Sequence, residues 1–376
     1  ASGDSLVVAA GAGTVRFGAG TPSALVPIAI DSGTLNFDGP AVTLPSLALG
    51  GGTLGGSADV TVTGSFDAND LSATLAGTGR FLTTGSSLVR MDGVTGLLAV
   101  NKPWVNSGSL ALEGDEQLVF NFGGGGGALT NTVAGQFFLN SAAATPIDFL
   151  GAGASLDNAG LFTLSRAGVS TVQIPTFNNT GTVSVGFGTL RIRADGSDTG
   201  SYGLISGGSV DFASGTRTLA STSNPAGTGS FAVSGGDVTL GDGGAGTLTL
   251  LPLTVSGGSF TVNGSGSLTL PTLNLTGGTL RLNGPAGVSL SPILAVGNGV
   301  AGGATLSINS GTPVVLNELF LNGAIVEGTH DLTVNTQLAV TGSESAIFRG
   351  SGTLTTQGAT ILDVAPGSGS INIGGN

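Results

Sequence analysis

A short phrase recurs along most of the chain: glycine, then serine or threonine, then two apolar residues separated by any one residue. Examples are Gly33–Phe37 and Gly108–Leu112, and later copies begin at Gly181, Gly188, Gly208, Gly229, Gly246, Gly258, Gly266, Gly278, Gly352 and Gly369. Several copies lie 20 or 21 residues apart, which is a fixed period. A period of this size indicates a solenoid that stacks one supersecondary unit many times.

The phrase itself indicates β-strands. Side chains alternate between the two faces of a strand, so its two apolar residues lie on one side. The glycine in front supplies the backbone angles that a tight corner needs. No stretch shows a helical stripe with caps. The sequence therefore predicts an all-β solenoid, with coils of about 20 to 27 residues.

The repeat also bears on domain organisation. Although 376 residues would suffice for two or three ordinary domains, an end-to-end repeat favours one elongated, continuous solenoid over residues 1–376. Residues 97–148 are the least regular, and we expect coils with longer loops there. At about 21 residues per coil and about 4.8 Å between strands, the prediction is about 18 coils in a rod on the order of 80 to 90 Å long.

Composition excludes several classes of protein. Glycine makes up 70 residues and only 9% of residues are charged, yet 40% are apolar and alternate regularly, which disordered chains do not sustain. Cysteine is absent, so disulfides and thiolate sites are excluded. A net charge of −12 disfavours nucleic acid as a partner. No apolar run is long enough for a membrane helix, so no membrane span is expected.

A second series runs through the middle of the chain, with an apolar-x-Asn-x-Gly pattern. Its members are Asn106, Asn158 and Asn179, and Asn131 fits more loosely. In chain order the four asparagines lie 25, 27 and 21 residues apart, which is about one per coil. Stacked at one corner, their side chains would form a hydrogen-bonded ladder. The alternative is that they are independent loop asparagines.

The run Phe177–Val185, followed by Gly188–Ile192 and Gly208–Phe212, resembles the Gly/Thr-rich repeats of bacterial surface proteins. The likeness is to autotransporter passengers and filamentous-haemagglutinin-type adhesins, at class level, over residues 30–376. The resemblance implies a right-handed parallel β-helix that is exported and exposed outside the cell. The small residues Ala1–Gly3 fit the remainder of a cleaved secretory signal peptide, so we expect an extracellular or cell-surface location.

Parallel β-helices also include polysaccharide lyases and hydrolases, whose sites combine carboxylates with arginine or lysine. The candidate cluster here is Arg191, Arg193, Asp195 and Asp198, with Arg281 at a position equivalent to Arg191 in a later phrase. Leu190 and Ile192 are expected to face inward, which leaves both arginines on the outer face. Charge on an outer face is also the ordinary solvated state, and we favour that interpretation.

Other candidate sites are weaker. The run Asp67–Asp70, and Asp237 with Asp242, could offer oxygen ligands to calcium, but neither matches a known calcium-binding repeat. His330 is the only histidine, and a serine triad would depend on it. We therefore predict no catalytic residue, no cofactor and no metal site.

The leading hypothesis is a non-enzymatic, extracellular structural protein that polymerises by head-to-tail stacking into a fibre, sheath or surface layer. The repeat leaves no room for a catalytic module, and exposed end coils offer unpaired strand edges to another copy. The first alternative is a surface adhesin that binds glycans or other cells, which exposed aromatic rings would favour. The second is a polysaccharide lyase or hydrolase that uses the charged cluster.

Overall fold

A computed structural model of the chain describes residues 5–69, 72–90, 96–205, 207–223, 225–241, 247–284, 287–300, 303–342, 345–364 and 371–374. The fold is nearly all-β, and parallel strands stack as a β-solenoid of about 16 turns. In the described residues the only helical segment is a 3-10 turn at Ser221–Ser223. The predicted fold class is confirmed, and its handedness stays a prediction. The repeat phrases at Gly246 and Gly369 begin outside the described residues.

Contacts between Cα atoms divide the chain into two compact units, Ala1–Gly196 and Ser197–Asn376. The prediction of one continuous solenoid over residues 1–376 therefore stays a prediction, and each unit is described by itself. The strands that begin in the first unit are β1 (Leu6–Phe17), β2 (Ile28–Phe37), β3 (Val42–Leu49), β4 (Thr53–Gly55), β5 (Val60–Ala68), β6 (Ser72–Leu75), β7 (Phe81–Thr83), β8 (Ser86–Val89), β9 (Leu97–Val100), β10 (Pro103–Asn106), β11 (Ser109–Leu112), β12 (Gln117–Phe120), β13 (Ala128–Asn131), β14 (Gln136–Leu139), β15 (Ile147–Phe149), β16 (Ser155–Asn158), β17 (Leu161–Asn179) and β18 (Thr182–Asp198).

The second unit repeats the same short elements. Its strands are β19 (Ser201–Leu204), β20 (Gly208–Ser214), β21 (Thr216–Leu219), β22 (Ala226–Gly227), β23 (Ser230–Val233), β24 (Asp237–Leu240), β25 (Thr247–Thr249), β26 (Leu253–Val255), β27 (Ser259–Asn263), β28 (Ser267–Leu270), β29 (Leu273–Leu275), β30 (Gly278–Asn283), β31 (Gly287–Leu290), β32 (Ile293–Val296), β33 (Ala304–Asn309), β34 (Val314–Leu321), β35 (Ala324–Gly328), β36 (Leu332–Gly342), β37 (Ala346–Gly350), β38 (Leu354–Thr356), β39 (Ala359–Val364) and β40 (Ile371–Gly374).

The length of a coil is the number of residues between register partners on stacked strands. In the first unit it ranges from 18 residues, between Val42 and Val60, to 29 residues, between Leu118 and Ile147. This range is wider than the predicted 20 to 27. The figure of about 18 coils assumed a uniform length of about 21 residues, and the longer coils reduce the number of turns to about 16.

The core of each unit consists of the inward-facing residues of successive coils. In β10, Trp104 and Asn106 are buried, whereas Pro103 and Val105, which alternate with them, are only half-buried. The Trp104 ring lies 5.6 Å from Phe66 and 5.6 Å from Phe81, between ring centroids. One coil is too thin to enclose such rings, so burial of the apolar surface requires stacking.

Glycine is required at the corners because the coils approach each other there. Gly258 and Gly278, which begin two copies of the repeat phrase, both have φ +63°. A Cβ on Gly278 would lie 2.5 Å from the carbonyl oxygen of Gly258 in the stacked coil. Any other residue would be strained and would push the two coils apart, which explains why glycine opens the phrase.

Candidate functional site

Four asparagines of the first unit form a buried ladder. Nδ2 of Asn106 donates to Oδ1 of Asn131 at 2.9 Å, Asn131 donates to Asn158 at 2.8 Å, and Asn158 donates to Asn179 at 2.8 Å. The four lie in register at the ends of β10, β13, β16 and β17, and all are buried. The structure thus places all the members of the predicted series at one corner of successive coils.

The first amide of this ladder is capped. The indole Nε1 of Trp104 donates to Oγ1 of Thr83 at 3.0 Å, and that hydroxyl donates to Oδ1 of Asn106 at 3.1 Å. Nδ2 of Asn106 also donates to the carbonyl oxygens of Gly108 and Gln136, each at 3.2 Å. Buried amides are stable when their donors and acceptors are satisfied. The ladder therefore holds coils together rather than presenting groups to a ligand.

The second unit carries another ladder, which the sequence reasoning missed. Nδ2 of Asn283 donates to Oδ1 of Asn263 and Nδ2 of Asn309 donates to Oδ1 of Asn283, both at 3.2 Å. The hydroxyl of Thr329 continues the row by donating to Oδ1 of Asn309 at 3.4 Å. We call these four residues the outer ladder, because their side chains are exposed or half-buried. An apolar-Asn-Gly pattern at Asn263 and Asn283, 20 residues apart, was the available signal.

The charged cluster lies partly where the sequence placed it. Leu190 and Ile192 are fully buried, so the predicted alternation along β18 is correct. Arg193 and Asp195 are exposed, and Arg191 is half-buried. Arg281 is exposed on β30 in the second unit.

Arg193 belongs to an outer row of polar side chains in the first unit. Its Nη1 lies 3.5 Å from Oε1 of Gln173, and Nε2 of Gln173 donates to Oδ1 of Asp148 at 3.2 Å. Contacts between side chains of stacked strands are the ordinary stabilising pairs of a sheet. Arg193 therefore takes part in contacts that stabilise the stack of coils.

Asp198 does not lie on the outer face with this cluster, and that grouping needs correction. Its carboxylate is buried in the second unit, where Nε of Arg217 donates to Oδ2 at 3.1 Å and Nη2 donates to Oδ1 at 2.7 Å. Both side chains are fully enclosed. The reason is the alternation of side chains along β18. Asp198 is an even number of residues from Leu190 and Ile192 and faces inward with them, whereas Arg191 faces outward.

The buried ion pair is surrounded by aromatic rings. The guanidinium carbon of Arg217 lies 5.2 Å from the centroid of Phe212, a cation–π distance. Tyr202 is also buried here, and burial together with the charge of Asp198 raises the pKa of Tyr202 well above its usual value. Because Arg217 and Asp198 are fully enclosed, the pair contributes to the packing of the core.

The calcium candidates lie partly outside the described residues, and the histidine on which a triad would depend lies beside a threonine. Asp70 and Asp242 lie outside the described residues, and Oδ1 of Asp237 accepts a hydrogen bond from Oγ of Ser259 at 2.7 Å. Within the described ranges there is no group of three or more side chains suited to a metal ion. Nδ1 of His330 lies 3.0 Å from Oγ1 of Thr329.

Lys102 is an unexpected member of the core. It is fully buried and has the same inward parity as Trp104 and Asn106. Its Nζ has no hydrogen-bond partner among the described residues. Burial lowers the pKa of Lys102 to about 8, against the opposing effect of the Asp59 carboxylate. An ammonium group in this position costs stability, because it is desolvated without a partner.

The last strands of the second unit leave core residues uncovered. Val340 of β36 is 0% exposed, and its register partner Leu362 on β39 is 56% exposed. A cleft of about 140 Å³ opens beside these strands, and its apolar lining includes Leu332, Phe348 and Leu354. Leu362 is at a core-facing position, in register with the buried Val340, but no coil covers it among the described residues.

The first strand of the first unit shows the same feature. Val15 of β1 is 37% exposed, whereas its register partner Leu35 on β2 is 0% exposed. In the described residues, β1 pairs on one side only, with β2. We call β1 and β39 the open edges, because among the described residues each carries a core-facing side chain that is partly exposed, Val15 and Leu362.

Comparison with other proteins adds no identification. No protein-family model, no curated protein and no solved structure matches the chain. The resemblance to bacterial surface repeats therefore stays a hypothesis. Among the described residues, no helix has the length and apolar character needed to cross a membrane.

Proposed function

We propose that this chain is an extracellular structural protein that assembles with further copies, head to tail, into a fibre, sheath or surface layer. The observation that carries the proposal is the pair of open edges. At β39 the core residue Leu362 is 56% exposed, although its register partner is fully covered. A further coil stacked on β39 would cover Leu362, just as β39 covers its register partner Val340.

The geometry of the edges favours an open polymer. Unpaired strands expose backbone donors and acceptors to one side, and another strand can satisfy them. A contact between β39 of one copy and β1 of the next joins two different surfaces. Such a heterologous contact does not close on itself and produces filaments.

Composition supports a location outside the cell. The chain has no cysteine, one methionine and one histidine, and its only lysine is buried. Few side chains are therefore open to oxidation. This suits a protein that must persist without replacement.

The test is assembly of the purified chain over a wide range of concentration, followed by light scattering and electron microscopy. We expect fibres, and we expect Leu362→Lys to suppress them because a charge would be buried at the contact. Val315→Lys is the matched control, since Val315 is 55% exposed on the outward face of an internal strand, β34. A chain that stays monomeric throughout, or equal effects of the two variants, would overturn the proposal.

An adhesin that binds glycans is a second candidate, supported by two exposed rings in the first unit, Phe122 and Phe187. The sole tryptophan and tyrosine, Trp104 and Tyr202, are both buried, which removes the rings most suited to stacking on sugars. Reproducible hits on a glycan array would favour this candidate. A lyase or hydrolase site has less support, because Asp198 is enclosed with Arg217.

A further inference from the structure

Asparagine followed by glycine occurs four times in the sequence, always in the second unit. The pairs are Asn263–Gly264, Asn283–Gly284, Asn298–Gly299 and Asn322–Gly323. The asparagines of the buried ladder precede serine, threonine or alanine instead. The two units thus differ in a covalent reactivity that neither the fold nor the proposed assembly explains.

The reaction concerned is cyclisation of the asparagine side chain. The backbone nitrogen of the next residue bonds to Cγ, the bond from Cγ to Nδ2 breaks, and the side-chain nitrogen leaves as ammonia with the proton of the backbone amide. Water then opens the succinimide at either carbonyl and yields aspartate or isoaspartate. Glycine favours the attack because it has no Cβ to obstruct its nitrogen, and asparagine is among the thermolabile residues.

The outer ladder restrains both reacting groups at Asn283. Its Nδ2 donates to Asn263, its Oδ1 accepts from Asn309, and the N–H of Gly284 donates to the carbonyl oxygen of Asn309 at 2.9 Å. The N–H of Gly264 likewise donates to the carbonyl oxygen of Asn283 at 3.3 Å. Cyclisation at either asparagine requires these bonds to open together.

Asn298 is held differently. It is exposed and lies in the loop between β32 and β33, and its Oδ1 accepts from the N–H of Val300 in the same loop at 3.1 Å. Among the described residues, the pair is bonded to another coil through the N–H of Gly299, which donates to the carbonyl oxygen of Asn322 at 3.1 Å, as the N–H groups of Gly264 and Gly284 donate to their neighbouring coils. The side chain is therefore free of restraint from the ladder and open to water.

Asn322 lies between these two cases. It is half-buried in the turn between β34 and β35, and its Oδ1 is enclosed. A Cβ on Gly342 would collide with this side chain, which shows how closely that coil packs against it. Water needed for ring opening has less access here than at Asn298.

We propose that Asn298 is a site of spontaneous conversion to aspartate or isoaspartate, and that the outer ladder protects Asn263 and Asn283 from the same reaction. Isoaspartate lengthens the main chain by one carbon atom. A loop absorbs that change, whereas in a strand it would shift the register against both neighbours. The fold thus confines the modification to a position where the stack tolerates it.

The test compares the folded chain with the same chain in denaturant, both kept in mildly alkaline buffer and analysed by peptide mass spectrometry. We expect folding to slow Asn298 less than Asn283: the backbone N–H of Gly299 is bonded like that of Gly284, but among the described residues the side chain of Asn298 has no bond to another coil. Asn263 and Asn283 should be slowed by about tenfold or more on folding, because the reactive geometry needs local opening. Equal protection of Asn298 and Asn283 would overturn the inference.

A variant separates the effect of the ladder from that of the strand. Asn309→Ala removes the partner of Asn283 and should accelerate conversion at Asn283 but not at Asn298. Asn274→Ala is the matched control, because Asn274 is exposed on β29 outside the outer ladder. Should Asn309→Ala fail to fold, the unsubstituted chain decides: in the folded state Asn298 must convert faster than Asn283.

Discussion

The two asparagine ladders use the same side chain at nearly the same spacing, in opposite surroundings. Asn106 to Asn179 are enclosed in the first unit, and their amides bond to each other and to backbone oxygens. Asn263 to Asn309 lie at the surface of the second unit, where water is available to the same groups. The face on which a repeated asparagine lies therefore decides what its hydrogen bonds contribute.

The largest effect is expected when the buried ladder is interrupted. Asn131→Ala leaves Nδ2 of Asn106 and Oδ1 of Asn158 without their partner inside the core. At about 1 to 3 kcal/mol for each of these two groups, the free energy of unfolding of these coils should fall by about 2 to 6 kcal/mol. Hydrogen exchange at the flanking backbone amides measures the loss coil by coil. A change below about 1 kcal/mol would mean that water replaces the missing amide.

A buried polar group without a hydrogen-bond partner lowers stability, so its removal should raise the free energy of unfolding. Burial lowers the pKa of Lys102 from 10.5 to about 8, so between these pH values the unfolded chain binds more protons than the folded chain. Stability should therefore rise with pH across this window, and the full penalty applies below it. Lys102→Met should stabilise the fold at neutral pH by roughly 3 kcal/mol and abolish the rise.

Denaturant unfolding of both proteins, at neutral pH and at about pH 10, measures this difference. Trp104 lies two residues from Lys102 and can report the unfolding of the same coil. If Lys102→Met is no more stable than the original chain at neutral pH, the ammonium group has a partner that offsets its burial.

The smallest effect is expected in the outer ladder. Asn283→Ala removes two hydrogen bonds at the surface, where water can satisfy the remaining amides of Asn263 and Asn309. The free energy of unfolding should change by about 0.5 kcal/mol or less. Thermal and denaturant unfolding, run beside Asn131→Ala, check this. Equal losses in the two variants would refute the distinction between the ladders.

The repeat made much of the fold predictable. The glycine phrase gives both the corner and the strand, and a regular asparagine spacing was enough to place Asn106 and Asn158 in one row. Coil lengths from 18 to 29 residues were not predictable, because a surface loop can grow at little energetic cost without disturbing the strands.

The buried charges were missed for a different reason. Asp198 and Arg217 are at inward-facing positions of their strands, and Lys102 lies just before β10, two residues from the inward-facing Trp104. Alternation alone would have placed all three in the core. Residue type points the other way, since charged side chains are rarely buried unless paired. Their pairing depends on which coils stack, and sequence spacing alone does not specify that. The open edges could not be assigned from sequence either, because a sequence does not show how exposed a particular side chain such as Leu362 is.

The placement of Trp104 and Tyr202 has a practical consequence. Each is the only residue of its type in the chain, each is buried, and each belongs to a different unit. Selective excitation of indole emission follows the first unit, and the phenol signal that remains follows the second. The chain therefore carries two intrinsic optical probes, one per unit, with which loss of structure can be assigned to either half without any label.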